Sequence, residues 1–340
     1  MKRHLLTLVA LVFLTTLCAQ ETVNTVVNTL KERIKLMGYT QVGYTYNDAE
    51  KADNSFDVKR IILMAEGNIT DKWSCYFMYN LNAGGTLIEV YTDYHFIPGL
   101  SARLGQFQIP FTFEGPMSTS SVELIECYSQ ATNYYMAVGG NHDPLKGGTG
   151  GRDIGLQFYG NFLNKRLTYN LAILNGQGIN TGDRNSNKDI VAALAVSPLE
   201  WLTVGGSFIK GKGHAVGISE TNPDILSGQN YKRDRWAISA MMKTKPLSLR
   251  AEYLGGKDEK VKSDGYYATA SFHVFPKFDI IASYDYLNKN KTLELKQTNY
   301  IAGVQYWFYP RCRVQAQYIY SEKHKLENSN MIQTQVQVRF

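Results

Sequence analysis

From Ile34 to the C-terminus, apolar and polar positions alternate. In the final stretch Ile332, Thr334, Val336, Val338 and Phe340 fall on one side, and Gln333, Gln335, Gln337 and Arg339 on the other. Successive side chains of a strand face opposite ways, so this segment has one apolar and one wet face. The same reading sets Arg311, Arg313, Gln315 and Gln317 against Cys312, Val314, Ala316, Tyr318 and Tyr320. Tyr267, Thr269, Ser271 and His273 likewise form the wet side of Tyr266–Val274. The pattern predicts about 16 strands, each near the ~9–11 residues that a tilted strand needs to cross a bilayer. They begin near Lys35, Phe56, Trp73, Leu87, Ser101, Asp153, Leu167, Lys188, Trp201, Trp236, Leu247, Tyr266, Phe278, Thr298, Arg311 and Met331.

The connections alternate between short and long. Thr70-Asp71-Lys72, Pro98-Gly99, Asn164-Lys165-Arg166, Pro198-Leu199-Glu200, Lys245-Pro246, Pro276-Lys277 and Pro310 are tight. Asn47–Ser55, Phe111–Arg152, Gly176–Asn187, Gly211–Arg235, Gly255–Gly265 and Glu322–Asn330 are long and polar. Short turns at one end and long loops at the other belong to an up-and-down outer-membrane barrel. A soluble sandwich has no reason for this asymmetry, and its outward face would be polar. Tyr44, Tyr46, Trp73, Trp201, Trp236, Trp307 and Tyr309 crowd the strand ends, where amphipathic rings form girdles at the lipid–water boundary. The expected fold is therefore all-β: a transmembrane antiparallel barrel over residues 35–340.

Composition narrows the picture further. Beyond the N-terminus no apolar run is long enough for a spanning helix, which excludes a helical bundle. A formal charge of +6 without a basic run gives no footprint for nucleic acid. Four Cys without a C-x-x-C pair are neither a disulfide scaffold nor a zinc site. Lys2 and Arg3, the apolar Leu5–Leu17 and Leu17-Cys18-Ala19 make residues 1–19 a secretory signal peptide. Lipid attachment at Cys18 is the alternative, weakened by the bulky Leu17 before it. Export leaves Cys75, Cys127 and Cys312, an odd set that predicts free thiols. Residues 20–34 break the alternation: Val23, Val27, Leu30 and Ile34 recur at helical spacing, giving a short periplasmic helix or a disordered leader.

Four stretches carry a resemblance. They are Phe56-Asp57-Val58-Lys59-Arg60, Arg103-Leu104-Gly105-Gln106-Phe107-Gln108-Ile109-Pro110-Phe111, Gly151-Arg152-Asp153-Ile154-Gly155 and Asn175-Gly176-Gln177-Gly178-Ile179-Asn180. In this order the chain resembles the phosphate-selective porin O and P family of Gram-negative outer-membrane porins. The resemblance implies a 16-stranded barrel, a homotrimer, and a third loop folded into the pore. It also implies that Val336, Val338 and Phe340 form the C-terminal signal read by the barrel-assembly machinery. The substrate in the family name does not transfer with it.

A barrel of this size encloses an aqueous channel, and its third loop, Phe111–Gly151, at about 40 residues far exceeds an ordinary connection. Folded inward, Glu114, Glu123 and Glu126 would face a wall carrying Arg60, Arg250, Arg311, Arg313 and Arg339. Opposed charges across a constriction set ion preference; the alternative is a loop whose glutamates are solvated outside. Inward parity also gives Arg103 and Lys243, against Glu66, Glu89, Asp93, Asp153, Glu252, Asp279 and Asp285. The two signs balance, so strict phosphate selectivity is not supported, and Lys59 beside Arg60 is the nearest approach to an anion site. No G-x-S-x-G, H-E-x-x-H or P-loop pattern occurs, and His142-Asp143 near Ser118, Ser120 and Ser121 is a chance trio of a polar loop. The expected function is passive diffusion of small hydrophilic solutes and ions, without catalysis, metal or cofactor. A phosphate or polyphosphate channel and a non-conducting barrel presenting loops for adhesion are the alternatives.

Overall fold

The computed structural model describes residues 33–49, 54–82, 84–138, 145 and 150–340. Its strands are β1 (Ile34–Asn47), β2 (Asn54–Asn68), β3 (Trp73–Asn80), β4 (Thr86–Ile97), β5 (Leu100–Gln108), β6 (Arg152–Phe162), β7 (Leu167–Leu174) and β8 (Asp189–Leu199). They continue with β9 (Leu202–His214), β10 (Asn230–Lys243), β11 (Leu247–Asp258), β12 (Val261–Phe275), β13 (Phe278–Asn288), β14 (Lys296–Tyr309), β15 (Cys312–Lys323) and β16 (Ser329–Arg339). Each pairs with its neighbours in sequence, and β1 pairs with β16, so the sheet closes. Among the described residues a helix, α1 (Gln130–Met136), interrupts the connection between β5 and β6. Every backbone group of a closed ring has a partner and no edge is left, which hydrocarbon demands. No described helix is long and apolar enough to cross a membrane.

The seam is finished by the last residue. Phe340 N–H donates to the Gly38 carbonyl at 3.0 Å, and Gly38 N–H donates to the Phe340 carbonyl at 3.2 Å. A Cβ on Gly38 would stand 2.5 Å from the Phe340 ring, so the close approach requires glycine there. Val336, Val338 and Phe340 share the outward face with Ile332, as their parity predicts. Outward apolar side chains continue around the barrel, among them Leu171, Leu194, Val204, Ile238, Ile280 and Val304. A surface this apolar is suited to lipid, not water. Above it, Trp236, Tyr253, Tyr266, Tyr284, Tyr300 and Tyr320 form a belt of neighbouring rings, with centroids between 5.1 and 6.2 Å apart.

Several expectations need correction. Gly255–Gly265 is not a long loop: β11 and β12 run on to a two-residue turn, Glu259-Lys260, with Glu259 at φ 52°. The strands extend past the membrane, and their polar ends reflect water rather than irregular backbone. For the same reason β10 begins at Asn230, before Trp236, and β12 at Val261, before Tyr266. Trp307 does not join the girdle; its indole N–H donates to Asp279 at 2.9 Å inside the barrel, and Arg313 lies 5.1 Å from its ring centre. Ile34, placed in the leader, already opens β1. The signal peptide and residues 20–32 of the leader, like His142-Asp143, lie outside the described residues. Cys75, Cys127 and Cys312 are free thiols, as expected.

Candidate functional site

The described start of loop 3, residues 109–138, turns into the barrel; its polar anchors run along the wall from β11 through β16 to β1, and its apolar side chains also reach β7 and β8. Each attachment follows from a polar side chain at an inward strand position. Glu252 on β11 accepts the backbone N–H groups of Phe113 at 2.7 Å and Glu114 at 2.8 Å, together with the Tyr267 hydroxyl and the Ser239 hydroxyl. Asp285 on β13 accepts Gln130 N–H at 2.8 Å, at the start of α1, where orphan amide donors attract a carboxylate. Gln315 and Gln317 on β15 donate to the Glu123 carbonyl at 2.9 and 2.7 Å, and Gln337 on β16 donates to the Ser120 carbonyl at 3.1 Å. A dry layer seals the contact: Phe111, Val122, Tyr134, Tyr135 and Met136 of the loop pack against Leu174, Val191, Leu254 and Leu287 of the wall. Phe107 and Ile109, which look lipid-facing by residue type, belong to this same layer, and Phe107 is fully buried.

The predicted charges meet, but closed onto one another. Arg250 Nη2 lies 3.1 Å from Glu114 and 3.0 Å from Glu123, with only 3% of its side chain exposed. Arg313 is fully buried; it donates to the Val122 carbonyl at 2.8 Å and to Gln305 at 2.9 Å. Arg339 donates to the Ser120 hydroxyl at 2.8 Å. These arginines hold the loop and do not look across an opening. Arg311 is a correction of position: it sits at φ 65° in the β14–β15 turn, exposed, outside the lumen wall. Lys59 and Arg60 both face inward because the β1–β2 register shifts between Gln41 and Val42, and the bulge turns two adjacent side chains to one face. Arg60 donates to Gln41 at 3.0 Å, while Lys59 lies 3.7 Å from Glu126, whose side chain is 52% exposed. Burial pushes the Cys127 thiol up from its ordinary range, away from the reactive thiolate.

Because the loop leans on one side, the open space lies on the other. A cavity of about 490 Å³ remains between Pro110, Thr112, Phe113 and Pro116 of the loop and the wall from β4 to β10. On β8 to β10 that wall carries small inward side chains, Ala193, Ala195, Thr203, Ser207 and Ser239, while β4 to β6 line it with Glu89, Tyr91, Arg103, Gln157 and Tyr159. The anchoring wall carries long side chains, from Arg250 and Tyr267 to the glutamines of β14 to β16. Small residues on β8 to β10 thus leave open space opposite the strands that grip the loop. Sequence parity identified the inward positions but missed Glu252, Asp285 and the glutamine ladder as loop anchors; their period-two recurrence was the signal.

A family model described as "Phosphate-selective porin O and P" matches residues 34–340. Similar solved structures include an anion-selective porin from Comamonas acidovorans, 12% identical, with a TM-score of 0.68, covering 90% of this chain and 99% of that one. They also include OmpT of Vibrio cholerae in its trimer form, 11% identical, TM-score 0.63, over 90% of this chain and 99% of that one. The outer membrane channel DcaP of Acinetobacter baumannii is 10% identical, TM-score 0.61, over 90% and 97%. No curated protein sequence matches this chain. These likenesses share a fold with a chain whose outer face suits lipid and whose inner space is polar. The chain belongs to the phosphate-selective porin O and P family and is an outer-membrane channel protein of the Gram-negative type.

Proposed function

We propose that the protein is a general or weakly selective diffusion porin, with its path between loop 3 and the β6–β10 side of the lumen. The observation that supports this reading is the off-centre placement of the loop's anchors, which leaves open space against Ala193, Ala195 and Thr203. Solutes move down their own gradients; the wall supplies hydrogen-bonding groups in place of hydration water and takes no part in bond chemistry. The Lys59–Arg60 pair with Glu126 supplies the charge exposed toward the lumen, and Arg250, Arg313, Glu114 and Glu123 act through the loop they fix. We also infer export through the N-terminal signal, insertion guided by Val336, Val338 and Phe340, and a homotrimer, as in the trimer form of the Vibrio cholerae neighbour. The test is single-channel recording in a planar bilayer. Stable conducting steps that shrink sharply in Ala193→Trp support the path; wild-type steps in that variant refute it, and silence from a folded barrel favours the adhesion reading.

A further inference from the structure

The cavity beside loop 3 has a chemistry that anchoring the loop does not require. Its charges cancel in pairs. Arg103 grips both oxygens of Asp93 at 2.8 Å through Nε and Nη2, and its guanidinium plane lies 3.7 Å from the Tyr91 ring centre. Glu89 accepts Arg152 Nε at 3.1 Å and Nη2 at 3.0 Å. Neither arginine has its Nε–Nη2 fork free for an anion, and the Glu89 carboxylate stands next to whatever enters.

The uncharged groups point elsewhere. Gln157 is 5% exposed and donates to Asn170 Oδ1 at 2.7 Å, while its own Oε1 has no hydrogen-bond partner among the described residues. A buried acceptor left unpaired is costly, and what it lacks is a donor. A solute hydroxyl supplies one once the amide turns toward the cavity; hydrogen phosphate also carries a donor, but its negative charge would stand beside Glu89. Ser207 accepts Thr112 N–H at 3.3 Å, which leaves the Ser207 hydroxyl proton for a solute oxygen. Phe113 and Ala193 add apolar surface to the same space. Donors and acceptors without net charge, next to apolar facets, match a solute with C–H faces and a rim of hydroxyls. At about 490 Å³ the cavity also falls in the size range of small-molecule sites.

We propose that this cavity binds an uncharged polyhydroxylated solute, a mono- or disaccharide, with Gln157 and Asn170 as its principal hydrogen-bonding groups. The proposal rests on the channel reading and names the solute class for that path.

The experiment uses the full chain in a planar bilayer, with maltose or inorganic phosphate added to one side. Maltose should block the ionic current saturably, and phosphate at the same concentration should not. Gln157→Leu and, separately, Asn170→Ala should each weaken the block roughly 3–10-fold, the worth of a lost neutral hydrogen bond. Heat-modifiable gel migration reports whether each variant is a folded barrel, and either folded variant suffices. Block by phosphate alone overturns the proposal in favour of an anion site. Equal conductance with and without maltose, or unchanged block in a folded variant, overturns it as well. Channels that never conduct refute the path instead; calorimetry of maltose with the detergent-solubilised protein then decides the site, with saturable heat supporting it and none overturning it.

Discussion

Glu252→Ala isolates the mechanics of loop 3. The carboxylate accepts two backbone amides, from Phe113 at 2.7 Å and Glu114 at 2.8 Å, as well as the Tyr267 and Ser239 hydroxyls. Hydroxyls can rotate toward water admitted by the missing side chain; the two amides cannot. A buried unsatisfied donor costs about 1–3 kcal/mol, so the start of the loop loses roughly 2–6 kcal/mol of docking energy. The rest of the loop keeps its hold through Asp285, Arg313, Gln315 and Gln317. Residues Thr112 to Glu114 should therefore loosen, tethered by the Arg250–Glu114 pair and the buried Phe111, while the barrel ladder stays intact. The assay is single-channel conductance at fixed salt, paired with limited proteolysis of the folded protein. Larger, noisier steps and a new cleavage near Phe113 are expected, with Glu252→Gln intermediate because it keeps one acceptor oxygen. Wild-type conductance together with full protease protection would refute the clamp.

Other consequences can be checked separately. Glu126→Gln removes a half-exposed carboxylate opposite Lys59, so the reversal potential in a KCl gradient should move toward anions; no movement places Glu126 off the path. Gly38→Val pushes a side chain into the Phe340 ring and the Ile62 carbonyl, and overpacking costs about 1–3 kcal/mol. Its barrel should lose heat-resistant gel migration at a lower temperature than wild type. In the β7–β8 loop, Asp183 is held below its ordinary range by the Lys188 ammonium first and by the amides of Asn185 and Ser186. A depressed carboxyl stabilises the loop fully above the usual aspartate value of ~3.9 and loses that effect as pH falls through its lowered value. An NMR titration midpoint at or above the ordinary value contradicts this.

The barrel was legible because period two is local: each strand's inward set can be read without knowing its neighbours. What the loop covers is not local. Phe107 and Ile109 share the inward parity of Arg103, and only the arrival of Phe111 and Met136 above them explains apolar residues in a wet lumen. Trp307 is inward because Asp279 offers its indole an acceptor across the strand pair. Lys59 beside Arg60 needs a bulge, which parity alone does not reveal. Parity alone puts Arg60, Arg103, Arg250, Arg313 and Arg339 on the inward face, and Arg311 leaves it because its turn position breaks the count. Their partners are not legible in the strand pattern, because the acidic groups come from far along the chain, as Glu114 does for Arg250.

The asymmetric lumen separates two kinds of selection. Positions on β11 to β16 hold the loop through charge and amide networks in which one change strands a buried partner. Ala193, Ala195, Thr203 and Ser207 bear on the space through which solute passes. Exchanges among them alter the bore while leaving the anchors whole. A lineage can thus acquire a new diet by altering a few small residues on one flank, without redesigning the machinery that keeps its pore from closing or gaping.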